Sequence, residues 1–424
     1  MKKYTHILAV LSIGFLFLTT CSSATQNLVR TGNVESAQNQ YAEATLTEIA
    51  PAPVTLYYET TVDLGMYEPE QGCYLGAYVL SNKQIDFDMK LFDDMSGKQH
   101  AISVYNLKVG NAYPSSWVIN CVALTKTPYI ILKPQNTYNS FDKASITQMA
   151  QSFGKYNIPV FVEFYPNPED ITINFDDYIS FFRFARGEFR KYAPNAAFVW
   201  AVNADCASDM RYYPGDDATD WVGLRIWQNM DDGGYPRDAF AAIEYFYYTF
   251  QTRKPIAISA LAISHYSSTD HMYHNQDAAY ETEKIYRSIA NDFPRIKMLN
   301  YLDYNEPVAV GAGVSFNYSV TENDTVLGAY KKAISDTRFL SSLTTTQNDS
   351  AQLHVRSPFT AYIANKTVFA HELSFEYDLS TKGSTGAKEI QGMKYYDMGI
   401  YAKNAKMTLT TGTEAGKVYL TYPK

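Results

Sequence analysis

The feature of this sequence that most constrains its fold is the alternation of short apolar runs with helical patterns between residues 72 and 334. The runs have the length of β-strands and are apolar nearly throughout, which is typical of parallel strands covered on both faces. They predict eight strands of one parallel sheet. The eight runs are residues 72–79, 100–107, 127–134, 158–166, 197–203, 220–227, 254–263 and 296–302.

Helical periodicity appears between these runs. The clearest helix, residues 176–192, opens with carboxylates and places Tyr178, Phe182, Ala185 and Phe189 on one face. Four further helical segments are residues 140–156, 238–250, 276–290 and 324–334. Length, alternation and strand count favour an α/β fold of the (β/α)8 barrel type over an open doubly wound sheet. No glycine-rich phosphate motif follows the first strand, which removes the main argument for a nucleotide-binding fold.

The amino end carries a targeting signal. A basic head and an apolar stretch from Ile7 to Leu18 predict a secretory signal peptide of residues 1–20. Cys21 follows two threonines in a pattern that resembles a bacterial lipobox, in which this cysteine becomes the lipidated first residue. We therefore expect an extracytoplasmic protein anchored to the bacterial cell membrane through Cys21, or a secreted protein if Cys21 is not lipidated.

Changes in composition suggest how the rest of the chain is divided. Residues 21–60 are predicted to form the lipid anchor and a flexible linker, because they are mostly small and polar and lack periodicity. Residues 61–340 contain the predicted barrel. Residues 341–350 are predicted to be a second linker. Short β-like runs separated by turn residues predict a small β-rich module over residues 351–424.

The charge and the aromatic content restrict the class of partner. Residues 1–20 contain two of the 36 basic side chains and none of the 44 acidic ones, so the mature chain has a net charge of −10. This excess of acid argues against nucleic acid as a partner. The chain contains 36 Tyr, 23 Phe and 4 Trp. These rings either serve packing alone or also line a groove for sugars, whose C–H faces match flat apolar rings.

Cysteines and histidines do not point to a metal or a cofactor. No Cys-x-x-Cys pair is present, so no structural zinc site is predicted. Cys73 and Cys121 are predicted to pair, because an exterior compartment permits a disulfide and both lie early in the barrel. Three histidines follow the seventh apolar run, and contacts to backbone or water are favoured there over a metal site. They are His265, His271 and His274.

Several motifs resemble one enzyme family in their order and spacing. They are GCYLGAY, SGKQHAISVYN, AFVWAVN, YYPGDDATDWVGLRIW, KPIAISA and NYSVTENDTVLGAYKKA. Over residues 70–340 the chain is thereby similar to glycoside hydrolase family 26, which includes β-1,4-mannanases built on a (β/α)8 barrel. The most specific motif surrounds Asp216, Asp217 and Asp220. In the family it links the fifth strand to the sixth, so these aspartates are expected to be turn and helix-cap carboxylates, with direct ligand contacts as the alternative.

The resemblance also implies two catalytic glutamates, an acid/base and a nucleophile, about 5–5.5 Å apart at the C-terminal mouth of the barrel. Aligning the fourth strand places Asn167 at the position of the acid. Aligning the seventh strand places Ala260 at the position of the nucleophile. Alanine has no lone pair to attack an anomeric carbon, and a neutral amide delivers no proton to a leaving oxygen. The alignment therefore predicts a degenerate glycosidase.

Other carboxylates could substitute. Glu163 stands where the family has a strand-four arginine and would point toward the mouth. It is expected either to pair with Arg225, to accept from a sugar hydroxyl, or to act as a catalytic acid, since a lone buried carboxylate is costly. Asp205 and Asp303 follow the fifth and eighth strands and are weaker substitutes. Glu169 and Glu306 are the remaining candidates in the loops.

Four residues are predicted to contact the substrate from the fifth and sixth strands: Trp200, Asn203, Arg225 and Trp227. The sequence thus predicts a surface-anchored lipoprotein that resembles family 26, is catalytically degenerate, and binds a polysaccharide or oligosaccharide. An active glycosidase with relocated carboxylates and a structural scaffold of a polysaccharide assembly are the two alternatives.

Overall fold

The structure, a computed structural model, describes residues 52–135, 142–167, 174–231, 234–235, 237–305, 316–344, 349–364, 367–371, 387–390, 393–412 and 416–423. The predicted signal peptide and Cys21 lie outside these ranges. Within them, no helix is both long enough and apolar enough to cross a membrane.

Eight parallel strands close into a barrel. In chain order they are β2 (Cys73–Val79), β3 (Ile102–Lys108), β4 (Thr127–Lys133), β5 (Val160–Phe164), β6 (Ala196–Asn203), β7 (Trp221–Met230), β8 (Ile256–Ser267) and β9 (Ile296–Asp303). Each strand pairs with the next, and parallel pairing of β2 with β9 closes the ring. The predicted (β/α)8 barrel is confirmed. A short strand, β10 (Phe339–Leu340), extends the sheet beside β2.

In the described part of the chain, seven helices cover the barrel, six of them between its strands and the seventh after β9. They are α1 (Met89–Ser96), α2 (Ser115–Ala123), α3 (Lys143–Gly154), α4 (Phe175–Tyr192), α5 (Ala239–Phe250), α6 (Asn275–Asp292) and α7 (Asp324–Ile334). Three 3₁₀ turns take the place of a helix between β6 and β7. The sequence analysis did not predict α1 and α2, which are only 8 and 9 residues long, so their helical patterns were weak.

Two packed layers hold the barrel together. The inner layer fills the lumen with side chains of alternate strand positions, among them Tyr74, Val104, Phe161, Trp221 and Met298. The outer layer lies between the strands and the helices and takes the opposite positions of each strand. Because side chains alternate along a strand, membership of these layers tells which residues point into the lumen.

A second sheet of seven strands contains the β-rich C-terminal region. Its order is β13 (Ala387–Ile390), β14 (Met393–Asp397), β12 (Thr367–His371), β11 (Ser350–Ala364), β1 (Ala52–Asp63), β16 (Lys417–Thr421) and β15 (Thr408–Thr411). The helix α8 (Met398–Asn404) contributes Met398 and Ala402 to its core. Strand β1 corrects the predicted linker of residues 21–60, because residues 52–60 lie inside this sheet. Leu56 and Tyr58 alternate into the core there.

The second sheet packs against the N-terminal end of the barrel. The Arg356 guanidinium lies 4.9 Å from the Phe293 ring centroid and pairs with Glu244 at 3.1 Å. The Tyr57 hydroxyl donates to the Asp292 carbonyl at 3.2 Å. Asp292 is the last residue of α6 and Phe293 follows it, just before the start of β9. The second sheet therefore covers the N-terminal end of the barrel. A functional site is expected at the opposite, C-terminal end, where barrels of this type place their active sites.

Candidate functional site

Glu163 is the central carboxylate of the lumen. It is fully buried, and its Oε1 accepts from Arg225 Nη1 at 2.7 Å. Its Oε2 accepts from the Tyr129 hydroxyl at 2.5 Å. Burial, together with the negative charge of Glu163, raises the pKa of Tyr129 well above its usual value. The predicted pair with Arg225 is confirmed, and both carboxylate oxygens are engaged. Tyr129 was not predicted from the sequence, although its position on the lumenal side of β4 follows from the alternation of side chains along a strand.

Asn167 and Ala260 lie at the C-terminal end of the barrel. Ala260 is level with Arg225 of β7, at a bulge in β8, and is 5% exposed. The Asn167 backbone N–H donates to the Ala201 carbonyl at 3.1 Å, and its φ of 55° is left-handed, which asparagine tolerates. Neither side chain carries an ionisable oxygen. These two positions therefore supply neither an acid nor a nucleophile.

Asp303, one of the predicted substitutes, is a structural carboxylate. The eight barrel strands contain just two carboxylates, Glu163 and Asp303. Asp303 is fully buried and accepts from Asn82 Nδ2 at 2.5 Å and from the Val320 N–H at 2.7 Å. The Ser319 and Thr321 hydroxyls also donate to it. Burial raises the pKa of Asp303 to about 6, because these partners are all neutral.

Asp205 is engaged as well. It forms an ion pair with Arg237 on the exposed surface beyond β6. Glu169 and Glu306 lie outside the described residues. Among the described candidates, the structure therefore brings no second carboxylate to face Glu163.

An aromatic cluster lines the mouth on the side of β7 and β9. Trp227 is half-buried and meets Tyr318 edge to face at 5.8 Å, and Phe316 stacks on Tyr318 at 5.7 Å. Tyr78, Tyr304, Leu302 and Ala262 belong to the same cluster.

The Arg225 guanidinium lies 5.8 Å from the centre of the Trp227 ring. Asn203 stands beside Arg225 in the register of β6 and β7. Three of the four predicted substrate contacts are thus neighbours.

Trp200 is the exception, and its predicted contact with substrate is wrong. Its side chain is fully buried in the layer between the barrel and the helices. The ring packs against Tyr213 at 5.0 Å and against Phe246 at 6.3 Å. On β6 the side chains of Val199 and Ala197 point into the lumen instead, so the alternation of the strand turns Trp200 outward.

The aspartates of the YPGD motif are structural. Asp216 pairs with Arg253 at 2.8 Å, Asp217 with Arg183 at 2.6 Å and Asp220 with Arg186 at 2.8 Å. Asp220 also accepts from the Phe198 N–H at 2.7 Å. Asp220 immediately precedes β7, and Arg253 lies three residues before the start of β8. This network therefore lies toward the N-terminal end of the barrel, away from the mouth.

The predicted disulfide is wrong, because Cys73 and Cys121 are both free and buried. Among the histidines, His274 Nε2 contacts Asp270 at 2.8 Å, and His265 Nδ1 contacts the Asn275 amide oxygen at 3.0 Å. Within the described part of the chain, no three His, Cys, Asp or Glu side chains come together as a metal site would require.

Fold and site together define a (β/α)8 barrel with one lumenal carboxylate, held in an ion pair, below an aromatic-lined mouth.

No family model matches the chain. A β-1,3-xylanase of a Vibrio species is 27% identical over 133 residues, which are 30% of this chain and only 28% of that protein. Two similar solved structures are a family 26 β-mannanase from Bacteroides ovatus and a modular endo-β-1,4-mannanase from Cellulomonas fimi. The first is 10% identical, with a TM-score of 0.44 and coverage of 66% of this chain and 92% of its own. The second is 13% identical, with a TM-score of 0.47 and coverage of 86% and 94%.

Proposed function

We propose that the mouth of the barrel binds a polysaccharide chain without cleaving it. The observation that carries this proposal is the state of Glu163. Arg225 and Tyr129 occupy its two oxygens, while the positions implied for the catalytic glutamates hold Asn167 and Ala260.

Hydrolysis of a glycosidic bond uses two carboxyl groups, one on each side of the scissile bond. The barrel strands offer only one that faces the lumen. Both oxygens of Glu163 already accept a hydrogen bond, one from Arg225 and the other from Tyr129. Among the residues that the structure describes, the site therefore retains binding groups and holds no facing pair of carboxyl groups.

Binding is supported by the residues around this pair. The half-buried Trp227 ring offers an apolar surface to the C–H face of a sugar. The partly similar xylanase acts on a polysaccharide by its name, which agrees with this class of ligand.

Removing the Trp227 ring is expected to weaken glycan binding. Trp227→Ala should raise the dissociation constant about tenfold or more, since buried aromatic anchors dominate such contacts. The measurement is isothermal titration of the full chain in detergent with mannan, mixed-linkage glucan and xylan oligosaccharides. Tyr280→Ala removes a ring that is 67% exposed on α6 and is the matched control. Absence of binding to any glycan by the unmodified protein would reject the proposal and favour the scaffold alternative.

Anchoring at the outer face of a bacterial membrane is a further part of the proposal. It is supported by the basic head, the apolar stretch and the position of Cys21. Cys21→Ser is expected to move the protein from the membrane fraction to the soluble fraction of its host. Unchanged retention of this variant in membranes would contradict the assignment of Cys21.

A further inference from the structure

A second apolar group, mostly aromatic, lies around the end of β8. The loop at residues 268–274 leads from β8 into α6, and its side chains Met272 and Tyr273 are 60% and 54% exposed. The Tyr273 ring packs against Tyr266 at 5.1 Å and meets His265 edge to face at 5.5 Å. The parallel strands of a barrel all run toward its C-terminal end, so this group lies on the side of the mouth. We call Tyr266, Met272 and Tyr273 the outer platform.

Tyr273 is held in place although its ring is exposed. An antiparallel β-bridge joins Tyr266 to Tyr273. Asp270 fixes the turn between them, because it accepts from the Met272 N–H at 2.8 Å and contacts His274 Nε2 at 2.8 Å. A side chain on an ordered turn has less conformational freedom to lose when a ligand binds, which favours affinity. The outer platform is therefore pre-organised for contact with a ligand.

Asn317 joins this turn to the aromatic cluster of the mouth. The Asn317 carbonyl accepts from the His265 N–H at 2.9 Å, and the Asn317 N–H donates to Ser264 Oγ at 3.2 Å. The residues on either side of Asn317 are Phe316 and Tyr318, which belong to the aromatic cluster. The outer platform and the aromatic cluster are thus neighbours that share one hydrogen-bonded segment.

The outer platform lies further from the lumen than Trp227. Trp227 is level with Ala262 in the register of β7 and β8. Strand β8 continues four residues past Ala262 to Tyr266, which is about 13 Å at the rise of an extended strand. One sugar ring on Trp227 therefore leaves Tyr273 uncovered, whereas a glycan chain that continues along β8 reaches it.

We propose that the outer platform is a second sugar-binding subsite, which holds further units of the polysaccharide chain whose first ring contacts Trp227. This inference rests on the proposed binding function and deepens it. The flat apolar face of a tyrosine ring matches the C–H face of a sugar. A second contact on the same ligand adds affinity without a second association, because the first contact already holds the chain nearby. Long glycans should therefore bind more tightly than short ones.

The test is the dependence of affinity on glycan length. Isothermal titration of the full chain in detergent uses oligosaccharides of mannan, mixed-linkage glucan and xylan, from the disaccharide to the octasaccharide. For the backbone that binds best, the octasaccharide should bind about tenfold more tightly than the trisaccharide.

Substitution of Tyr273 should remove most of this gain. Tyr273→Leu keeps an apolar side chain against Tyr266 and His265 but lacks the flat face, so the ratio of the two affinities should fall about fivefold. Tyr273→Phe keeps the face and should keep the gain. The control is Tyr422→Leu, which removes a ring that is 47% exposed after β16 in the second sheet, and it should also keep the gain.

The outcomes separate the two proposals. Equal affinity for glycans of all lengths would overturn the second subsite and leave the binding at Trp227 standing. A gain that survives Tyr273→Leu, or one that is also lost in Tyr273→Phe, would overturn the assignment to the face of the Tyr273 ring. Absence of binding to every glycan would overturn the binding function, and the inference with it.

Discussion

Arg225→Met is expected to lower the free energy of unfolding by about 3–5 kcal/mol. The substitution leaves the fully buried Glu163 carboxylate without its cation. The Tyr129 hydroxyl, which donates to the other carboxylate oxygen at 2.5 Å, is neutral and does not replace the lost charge. An uncompensated charge in this lumen is among the largest single penalties that a point substitution can produce.

The double variant Glu163→Gln with Arg225→Met separates charge from packing. Replacement of both partners of a buried pair is often nearly neutral, so it should recover most of the stability that Arg225→Met loses. Urea unfolding of the unmodified protein, the two single variants and the double variant completes the cycle. If the two single losses simply add in the double variant, Glu163 and Arg225 are not coupled and the description of the pair is wrong.

The second large effect is a dependence of stability on pH that comes from Asp303. Its pKa is raised from 3.8 to about 6 by burial, so the folded state holds its proton more tightly than the unfolded state. The stabilisation is fully present below pH 3.8 and is lost as the pH rises through about 6. The shift corresponds to about 3 kcal/mol. Asp303→Asn should remove this loss.

The measurement is the free energy of unfolding between pH 4 and pH 7. Over this interval, the free energy of unfolding of the unmodified protein should fall by most of about 3 kcal/mol relative to that of Asp303→Asn. Asp231→Asn changes an exposed carboxylate after β7 and is the control, expected to keep the dependence of the unmodified protein. Parallel curves for the unmodified protein and Asp303→Asn would show that burial of Asp303 does not set its proton affinity.

Much of the barrel could be predicted from the sequence, because buried parallel strands leave continuous apolar runs. All eight runs became strands, and the helix over residues 324–334 ends where its pattern predicts. Strand β1 was missed because its partners, β11 and β16, lie about 300 and 360 residues further along the chain. A pairing over that distance leaves no local signal, and the polar residues before β1 suggested a tether.

The site was predicted in part. The pairing of Glu163 with Arg225 followed from the cost of burying a lone charge in an apolar strand. Trp200 was misplaced because a strand that is apolar on both faces does not show which face points inward. In the structure, the preceding residue Val199 points into the lumen, so Trp200 points outward. The partners of Asp303 come from the loop at residues 319–321 and from Asn82, and no spacing in the sequence connects them.

The central claim is that the mouth holds a sugar chain and lacks the pair of acids that would cut it. Its most direct test is release of new reducing ends when the full chain is incubated with each glycan that it binds. The account predicts retention of the glycan with no release above a protein-free blank. Sustained release that disappears in Glu163→Gln would contradict it and show that Glu163 works as a catalytic residue.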